Sequence, residues 1–200
     1  MKILAISFSP RVNGNTVALL NEALKGARES GAETELYSVA GKDLQPCDGC
    51  WACRKGQCHI QDDMPELQEK MLAADGIIFG TPVYFYGMTA QAKTVIDRTI
   101  VLGGPGRSLA NKVGGIVAVC GSLGLADALK DFSFYMLTRH MLPAGYVAAY
   151  AGSPEDLKKM EKCMKAIGDL GRTMAALAGM NFKYPLELMG PSIAFGTHTK

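Results

Sequence analysis

Short apolar runs alternate along the chain with longer stretches in which apolar residues recur at helical spacing. Apolar runs bounded by turn-forming residues predict strands, and continuous runs predict strands buried on both faces. The predicted buried strands are residues 2–7, 76–80 and 113–120. Residues 34–39 are half polar and predict an edge strand, and residues 144–150 predict a fifth strand.

Helical spacing fills the intervals between these strands. The predicted helices cover about residues 16–30, a segment from residue 63 onward, 88–102 and 123–141. We expect Asn15 or Thr16 to cap the first helix, because both side chains can accept a bond from free N–H groups. Asp63 followed by Glu66 three residues later predicts a capping box at the second helix.

The last helix has the clearest start signal in the chain. Ser153-Pro154-Glu155-Asp156 combines a capping box with proline at the first helical position. Apolar residues then recur at helical spacing: Leu157, Met160, Met164, Ile167, Leu170, Met174 and Leu177. Residues 181–200 break the pattern, since Pro185, Gly190, Pro191 and Gly196 favour an extended C-terminal tail. Residues 1–180 are therefore predicted to form one domain.

Five strands, each followed by a helix, predict an α/β fold with a parallel sheet covered by helices on both faces. Right-handed crossovers leave few topologies for such a sheet. The flavodoxin-like order 2-1-3-4-5 fits the number of strands and the length of the chain. We therefore predict a three-layer sandwich with a cysteine-rich insert at residues 45–61.

Composition narrows the class of protein further. The 200-residue chain is 48% hydrophobic and 20% charged with a net charge of +2, which argues against disorder and against nucleic-acid binding. No apolar run is long enough to span a bilayer, and the N-terminus lacks a signal-peptide pattern, so we expect a cytoplasmic protein without a membrane partner. The six cysteines are then better explained as metal ligands or free thiols than as disulfides.

The loop after the first strand has the composition of an anion site. It offers hydroxyls, amides, one arginine and the free N–H groups of a helix start, which together suit a phosphate. The candidate residues are Ser9, Arg11, Asn13, Asn15 and Thr16. An ordinary strand-to-helix loop also favours such residues, so this alternative stays open at this point.

Two further loops should meet the first at the same edge of the sheet. One carries three adjacent aromatic residues, which can form an apolar wall for a planar ring, or alternatively plug the core. Its residues are Pro82, Val83, Tyr84, Phe85 and Tyr86. The other contains Gly121, Ser122 and Gly124, and its glycines allow close approach of the backbone to a ligand. One loop for a phosphate and two for a ring describe a site for FMN.

Four cysteines lie within twelve residues, in the spacing C-x2-C-x2-C-x4-C. They are Cys47, Cys50, Cys53 and Cys58. This compact spacing is typical of loops that wrap a [4Fe–4S] cluster. Structural zinc sites more often use two separated pairs, so zinc is the second interpretation. Disulfides are third because a reducing compartment is expected, and metal-free thiols stay open as an alternative to bound metal. Cys120 ends a strand and could touch a flavin, although packing is the preferred interpretation for it and for Cys163. Asp62 is interpreted as a helix-cap candidate.

The segments SFSPRVNGNT, GTPVYFYGMTAQAKTVIDR and CDGCWACRKGQCHIQDDM together resemble the NADPH-dependent FMN reductase family, within the flavodoxin-like proteins. More narrowly, they resemble its iron–sulfur flavoprotein branch. The resemblance covers about residues 1–150. It implies that the first loop holds the FMN phosphate, that the aromatic loop lines the isoalloxazine ring and ribityl chain, and that the third loop closes the other edge of the ring. It also implies a [4Fe–4S] cluster on the four cysteines and a homodimer or homotetramer.

These features lead to one main functional hypothesis and two alternatives. The main hypothesis is an FMN-dependent oxidoreductase that passes electrons between the cluster and FMN to a small-molecule acceptor. Its donor is expected to be a ferredoxin-like protein or NAD(P)H. The alternatives are a cluster-free NAD(P)H-dependent FMN or quinone reductase, and a pure electron carrier.

Overall fold

A computed structural model describes residues 1–103 and 108–185. Five parallel strands form one sheet in the order 2-1-3-4-5, which confirms the predicted topology. The strands are β1 (Lys2–Ser7), β2 (Glu33–Ser38), β3 (Gly76–Pro82), β4 (Val113–Cys120) and β5 (Leu142–Tyr150). β1 and β4 match the predicted strands residue for residue, because both are apolar runs buried on both faces.

Helices cover both faces of this sheet, which confirms the three-layer, flavodoxin-like arrangement. They are α1 (Asn15–Glu29), α2 (Met64–Ala73), α3 (Ala90–Arg98), α4 (Leu125–Thr138), α5 (Pro154–Lys158) and α6 (Glu161–Gly179). One apolar core joins the sheet to α2, α3 and α4, and a second joins it to α1, α5 and α6. Two 3₁₀ turns, Ala52–Lys55 and Thr99–Gly103, lie outside these helices.

The helix starts differ from the predicted caps for reasons of tertiary contact. Gly14, and not Asn15 or Thr16, is the N-cap of α1, because the Asn15 amide instead donates to the carbonyl oxygen of Ala151 at 3.1 Å. Asp63 is the N-cap of α2, as predicted, but the predicted capping box is absent. Glu66 pairs with Lys42 at 2.7 Å, so it does not reach back to the start of its helix.

The C-terminal helical segment is two helices, not one. The predicted capping box of Ser153 and Asp156 is present, and proline occupies the start of α5. The helix then stops at Lys158 and resumes at Glu161. Residues 186–200 of the predicted tail lie outside the described residues. Within the described ranges, no helix has both the length and the apolar character needed to cross a bilayer.

Glycines bring α1 and α6 into direct backbone contact. A Cβ on Gly26 would overlap the carbonyl of Gly168, and a Cβ on Gly171 would overlap the carbonyl of Ala23. Side chains at these positions would therefore force the two helices apart. This close packing fixes the position of the second half of α1 against α6.

Candidate functional site

The carboxyl ends of β1, β3, β4 and β5 meet at one edge of the sheet, and their loops enclose a cleft of about 290 Å³. In open α/β sheets this edge is the usual ligand site. The lining residues are Ser9, Arg11, Asn13, Gly14, Asn15, Thr16, Pro82, Val83, Tyr84, Val119, Cys120, Gly121, Ala151, Gly152 and Pro154. All five candidate residues of the first loop line this cleft.

The first loop presents the amino end of α1 to the cleft. Gly14 supplies no side chain to cap that helix, so its first N–H groups are available to a ligand. Ser9 is buried and its hydroxyl accepts a hydrogen bond from the backbone N–H of Arg11 at 3.1 Å. The buried Oδ1 of Asn15 has no hydrogen-bond partner among the described residues. Buried polar atoms are normally paired, so this one indicates a site for a polar ligand.

The aromatic loop forms a tight turn at the rim of the cleft. Tyr84 and Gly87 exchange backbone hydrogen bonds of 3.0 and 3.2 Å. The two residues between them, Phe85 and Tyr86, both have positive φ, at 44° and 69°. Such backbone conformations are strained for aromatic residues and are often found at functional sites.

The aromatic loop divides between the cleft and the solvent. Pro82, Val83 and Tyr84 line the cleft, as expected. Phe85 and Tyr86 are not among its lining residues, and Phe85 is 98% exposed. The turn geometry explains this difference, because it directs the two central residues away from the wall that Tyr84 forms.

The third loop is fixed by short-range contacts. The Cys120 thiol donates to the Leu123 carbonyl at 2.7 Å and accepts from the Ser122 N–H at 3.3 Å. Gly121 lines the cleft, whereas Ser122 and Gly124 do not. Gly124 has a φ of 96°, and a Cβ there would lie 2.5 Å from the backbone of Tyr86. The backbone of Gly124 therefore packs directly against the aromatic loop, and a side chain at this position would push that loop away.

Several lining residues are absent from the sequence-based candidates. Ala151, Gly152 and Pro154 follow β5 and carry no side-chain chemistry that a motif search detects. Their position in the chain could have identified them, because the loop after a fifth parallel strand begins at the same edge of the sheet as the other three loops. Cys120, interpreted as a packing residue, also faces the cleft.

The four clustered cysteines converge on a single small pocket of about 20 Å³. It is lined by Cys47, Asp48, Cys50, Trp51, Cys53, Cys58, Ile60, Arg98 and Ile100. Positive φ angles at Gly49, Trp51 and Gly56 produce the tight turns that fold the loop back on itself. Thiols placed in this way can bind iron or zinc as thiolates.

A buried arginine forms part of the wall of the cysteine pocket. Arg98 ends α3, is 3% exposed and forms an ion pair with the carboxylate of Asp62. Its guanidinium also donates to the Gln45 carbonyl at 3.1 Å and to the sulfur of Cys58 at 3.6 Å. Burial is the largest single influence and opposes ionisation of Asp62. The hydrogen bond from Arg98, the backbone N–H groups of Gln45 and Met64 and the charge of Arg98 together outweigh it and lower the pKa of that carboxyl.

Asp62 has a larger role than the helix cap expected from the sequence. Its carboxylate accepts a bond from the Met64 N–H at 3.1 Å, close to the expected cap interaction. It also accepts from the Gln45 N–H at 2.9 Å and pairs with Arg98. Asp62 therefore ties both ends of the cysteine loop to the end of α3.

A second polar group borders the cysteine pocket at its exposed side. His59 is hydrogen-bonded to Asp48 at 2.6 Å. The side chain and backbone N–H of Cys50, followed by His59, stabilise the Asp48 carboxylate and lower its pKa to about 2. The side-chain atoms of Asp48, Cys50 and His59 that could bind a metal lie within 4.8 Å of one another. Asp48 accepts a bond from the backbone N–H of Cys50 at 3.1 Å, and His59 binds the other carboxylate oxygen of Asp48.

Comparison with known proteins identifies similar chains. The sequence profile of the family described as NADPH-dependent FMN reductase matches residues 1–153. An iron–sulfur flavoprotein of Methanocaldococcus jannaschii is 41% identical over 186 residues, which cover 88% of this chain and 96% of that protein. An iron–sulfur flavoprotein of Methanosarcina thermophila is 44% identical over 155 residues, covering 76% and 81% of the two chains.

Solved structures agree with the fold. A flavone reductase is 28% identical with a TM-score of 0.71, and the match covers 90% of this chain and 63% of that one. An NAD(P)H:quinone oxidoreductase from Methanothermobacter marburgensis has a TM-score of 0.67 at 14% identity, covering 86% and 98%. At that identity the second likeness concerns the fold alone.

Proposed function

This chain belongs to the NADPH-dependent FMN reductase family, in its iron–sulfur flavoprotein branch, and from that membership we propose that it passes electrons between a [4Fe–4S] cluster and FMN. Membership of the family makes it a flavin-dependent oxidoreductase. The proposal assigns the cluster to the four-cysteine pocket and the FMN to the cleft at the carboxyl edge of the sheet. One observation carries the cluster assignment: all four cysteines line the same pocket.

The cleft fits FMN at its phosphate end. The uncapped start of α1 offers N–H groups and the positive end of the helix dipole to an anion. Arg11 adds a positive charge at the rim, and Ser9 and Thr16 add hydroxyl groups. The unpartnered Oδ1 of Asn15 fits a ligand that also carries hydroxyl donors, as the ribityl chain of FMN does.

The other loops are proposed to hold the flavin ring. FMN, when bound, supplies a ring that can accept a hydride or single electrons. Pro82, Val83 and Tyr84 form an apolar wall that excludes water from one side of the cleft. Gly121 keeps the opposite wall free of side chains. Ser122 and Gly124 are assigned the indirect role of holding that wall and the aromatic turn in place.

The cysteine pocket fits an iron–sulfur cluster in its charge as well as in its ligands. Four thiolates concentrate negative charge, and the Arg98 guanidinium in the pocket wall offsets part of it. The Nε of Arg98 is buried without an acceptor among the described residues. An anionic sulfur group in the pocket fits a donor of this kind.

The proposed donors are NAD(P)H or a ferredoxin-like protein, and the proposed acceptor is a small molecule. Two exposed basic residues, Arg54 and Lys55, lie beside the cysteine pocket, and Arg54 stacks 4.3 Å from the Trp51 ring. A positive surface at this place favours an acidic electron-transfer protein. A homodimer or homotetramer is also proposed, and the exposed apolar residues Phe134 and Leu137 of α4 support a subunit contact.

A cysteine substitution tests the cluster assignment. Cys50→Ser should lose most of its iron and sulfide and keep FMN, because Cys50 lines the cysteine pocket and not the cleft. Cys163→Ser is the matched control, since this cysteine lies in α6 and should retain both groups. Protein is purified without oxygen and assayed for iron, zinc, sulfide and FMN. Full iron retention in Cys50→Ser would count against the assignment, and zinc in place of iron would make the loop a structural site.

A further inference from the structure

Arg98 and Asp62 form an ion pair in which the arginine, and not the aspartate, lines the cysteine pocket. Both side chains of the pair are buried, with relative exposures of 1% and 0%. Arg98 lines the pocket and donates to the sulfur of Cys58, whereas Asp62 is not among the lining residues. Asp62 pairs with Nη1 of the guanidinium, whereas Nη2 donates to Cys58, and Asp62 also accepts bonds from the backbone N–H groups of Gln45 and Met64. The positive member of the pair therefore faces the cysteines.

The structure contains an independent sign that Arg98 serves a group in this pocket. Burying a guanidinium is costly unless its donors are satisfied. The Nη1 and Nη2 atoms have partners, but the buried Nε has none among the residues that the structure describes. Buried donors are normally paired, so an unused N–H on a side chain of the pocket wall is an observation separate from the ion pair. The unused N–H fits an acceptor that is present only when the pocket is filled.

We propose that Arg98 is a positioning and charge-balancing residue that raises the reduction potential of a [4Fe–4S] cluster bound by Cys47, Cys50, Cys53 and Cys58, and that Asp62 limits this effect. The inference rests on the proposed function. One-electron reduction adds a negative charge to a site already bearing four thiolates, and the electron is supplied by the chemical reductant used in a titration. A nearby buried cation stabilises the more negative, reduced form.

The two members of the pair should act with opposite sign. Replacing Arg98 with a neutral residue removes the cation that faces the cysteines and leaves the Asp62 carboxylate, so reduction becomes less favourable. Replacing Asp62 removes the opposing negative charge and leaves the cation, so reduction becomes more favourable. A purely structural role would not reverse the sign of the shift, because both substitutions break the same ion pair. Exposed cations such as Lys55 are screened by solvent and should matter less.

The test is a redox titration of the cluster in the holoprotein, followed by electron paramagnetic resonance, for the variants Arg98→Gln, Arg98→Lys and Asp62→Asn. We expect Arg98→Gln to lower the equilibrium constant for one-electron reduction at least about tenfold, a shift of about 59 mV to more negative potential. Arg98→Lys keeps the charge and should stay closer to the wild-type value. Asp62→Asn should shift the potential in the positive direction. Arg172→Gln, which removes an exposed cation on α6, is the control and should show no shift.

The outcomes separate this inference from the proposed function. Wild-type protein that contains FMN but no iron would refute the cluster itself. Wild-type protein with a cluster, combined with an unchanged potential in Arg98→Gln or with shifts of the same sign in Arg98→Gln and Asp62→Asn, would refute only the role of Arg98. If Arg98→Gln does not retain iron, the double variant Arg98→Gln/Asp62→Asn leaves neither charge unpaired and gives the measurement. Its potential should lie below that of the wild type, and an unchanged value would overturn the inference.

Discussion

Thr89 joins the two loops that form the proposed phosphate and ring ends of the cleft, so its hydroxyl is a direct test of how the site is held. The side chain is fully buried at the start of α3. Its hydroxyl donates to the Phe8 carbonyl, next to the first loop, at 2.9 Å. The same oxygen accepts from the Ala92 N–H at 3.2 Å and thereby caps α3. Thr89→Val removes the hydroxyl and keeps the volume.

Two losses set the size of the effect. Removing an N-cap costs about 1 kcal/mol in the free energy of unfolding. Leaving a buried carbonyl without its donor costs about 1–3 kcal/mol. We therefore expect Thr89→Val to destabilise the protein by about 2–4 kcal/mol. For a chain of this length, that corresponds to a fall in Tm of roughly 5–15 °C.

Urea and thermal unfolding at a fixed FMN concentration measure this loss. Thr89→Ser is the matched control, because it keeps the oxygen that makes both bonds and should stay within about 1 kcal/mol of the wild type. The affinity for FMN should fall in Thr89→Val as well, since Phe8 adjoins the phosphate loop. A Thr89→Val variant within about 0.5 kcal/mol of the wild type would show that these hydrogen bonds do not hold the two loops together.

Two further predictions concern the scaffold and its dependence on pH. Gly171→Ala should destabilise the protein by about 2–3 kcal/mol, because its methyl would overlap the backbone of α1. Gly179→Ala is the control: its methyl would make only an ordinary contact with Met1 Cε at 3.4 Å, so the variant should be neutral or slightly stabilising, and urea midpoints measure both. Hydrogen bonds from Lys2 and then Lys70 lower the pKa of Glu35 below its ordinary value of 4.5. The contribution of these bonds to the free energy of unfolding is therefore fully present above pH 4.5 and is lost as the pH falls through the lowered pKa. Glu35→Gln should therefore be less stable than the wild type by about 0.5–1 kcal/mol at neutral pH, and the difference should vanish once the pH has fallen below the lowered pKa of Glu35. A difference independent of pH would contradict this account.

The sequence predicts the sheet well because local and tertiary forces agree there. β1 and β4 are apolar runs inside the sheet, and each is paired with a neighbouring strand on both sides. Helix ends are predicted less well. The Asn15 side chain does not cap α1 but donates to the carbonyl of Ala151, 136 residues away along the chain. No local sequence pattern predicts so distant a partner. Similarly, α3 ends at Arg98, where the side chain turns to the cysteine loop.

In the candidate site, too, some residues could be predicted from the local sequence and others only from the fold. Ser9, Arg11 and Asn13 could be found from their chemistry and their place after a strand, and they do line the cleft. Arg98 could not, because a single arginine near the end of a helix has the appearance of a surface charge until the fold places it against Cys58. Gly152 could not be predicted as a lining residue either, because it contributes only backbone to the cleft. Residues that act through position or backbone need the structure to be recognised.

The most direct test of the central claim is the iron, sulfide and FMN content of the full chain, purified without oxygen. A flavin–cluster oxidoreductase predicts about four irons, about four sulfides and one FMN per chain, together with a broad brown absorption that disappears on reduction. One FMN per chain with neither iron nor sulfide would contradict the cluster assignment and leave a flavin reductase whose four clustered cysteines are free thiols or bind zinc.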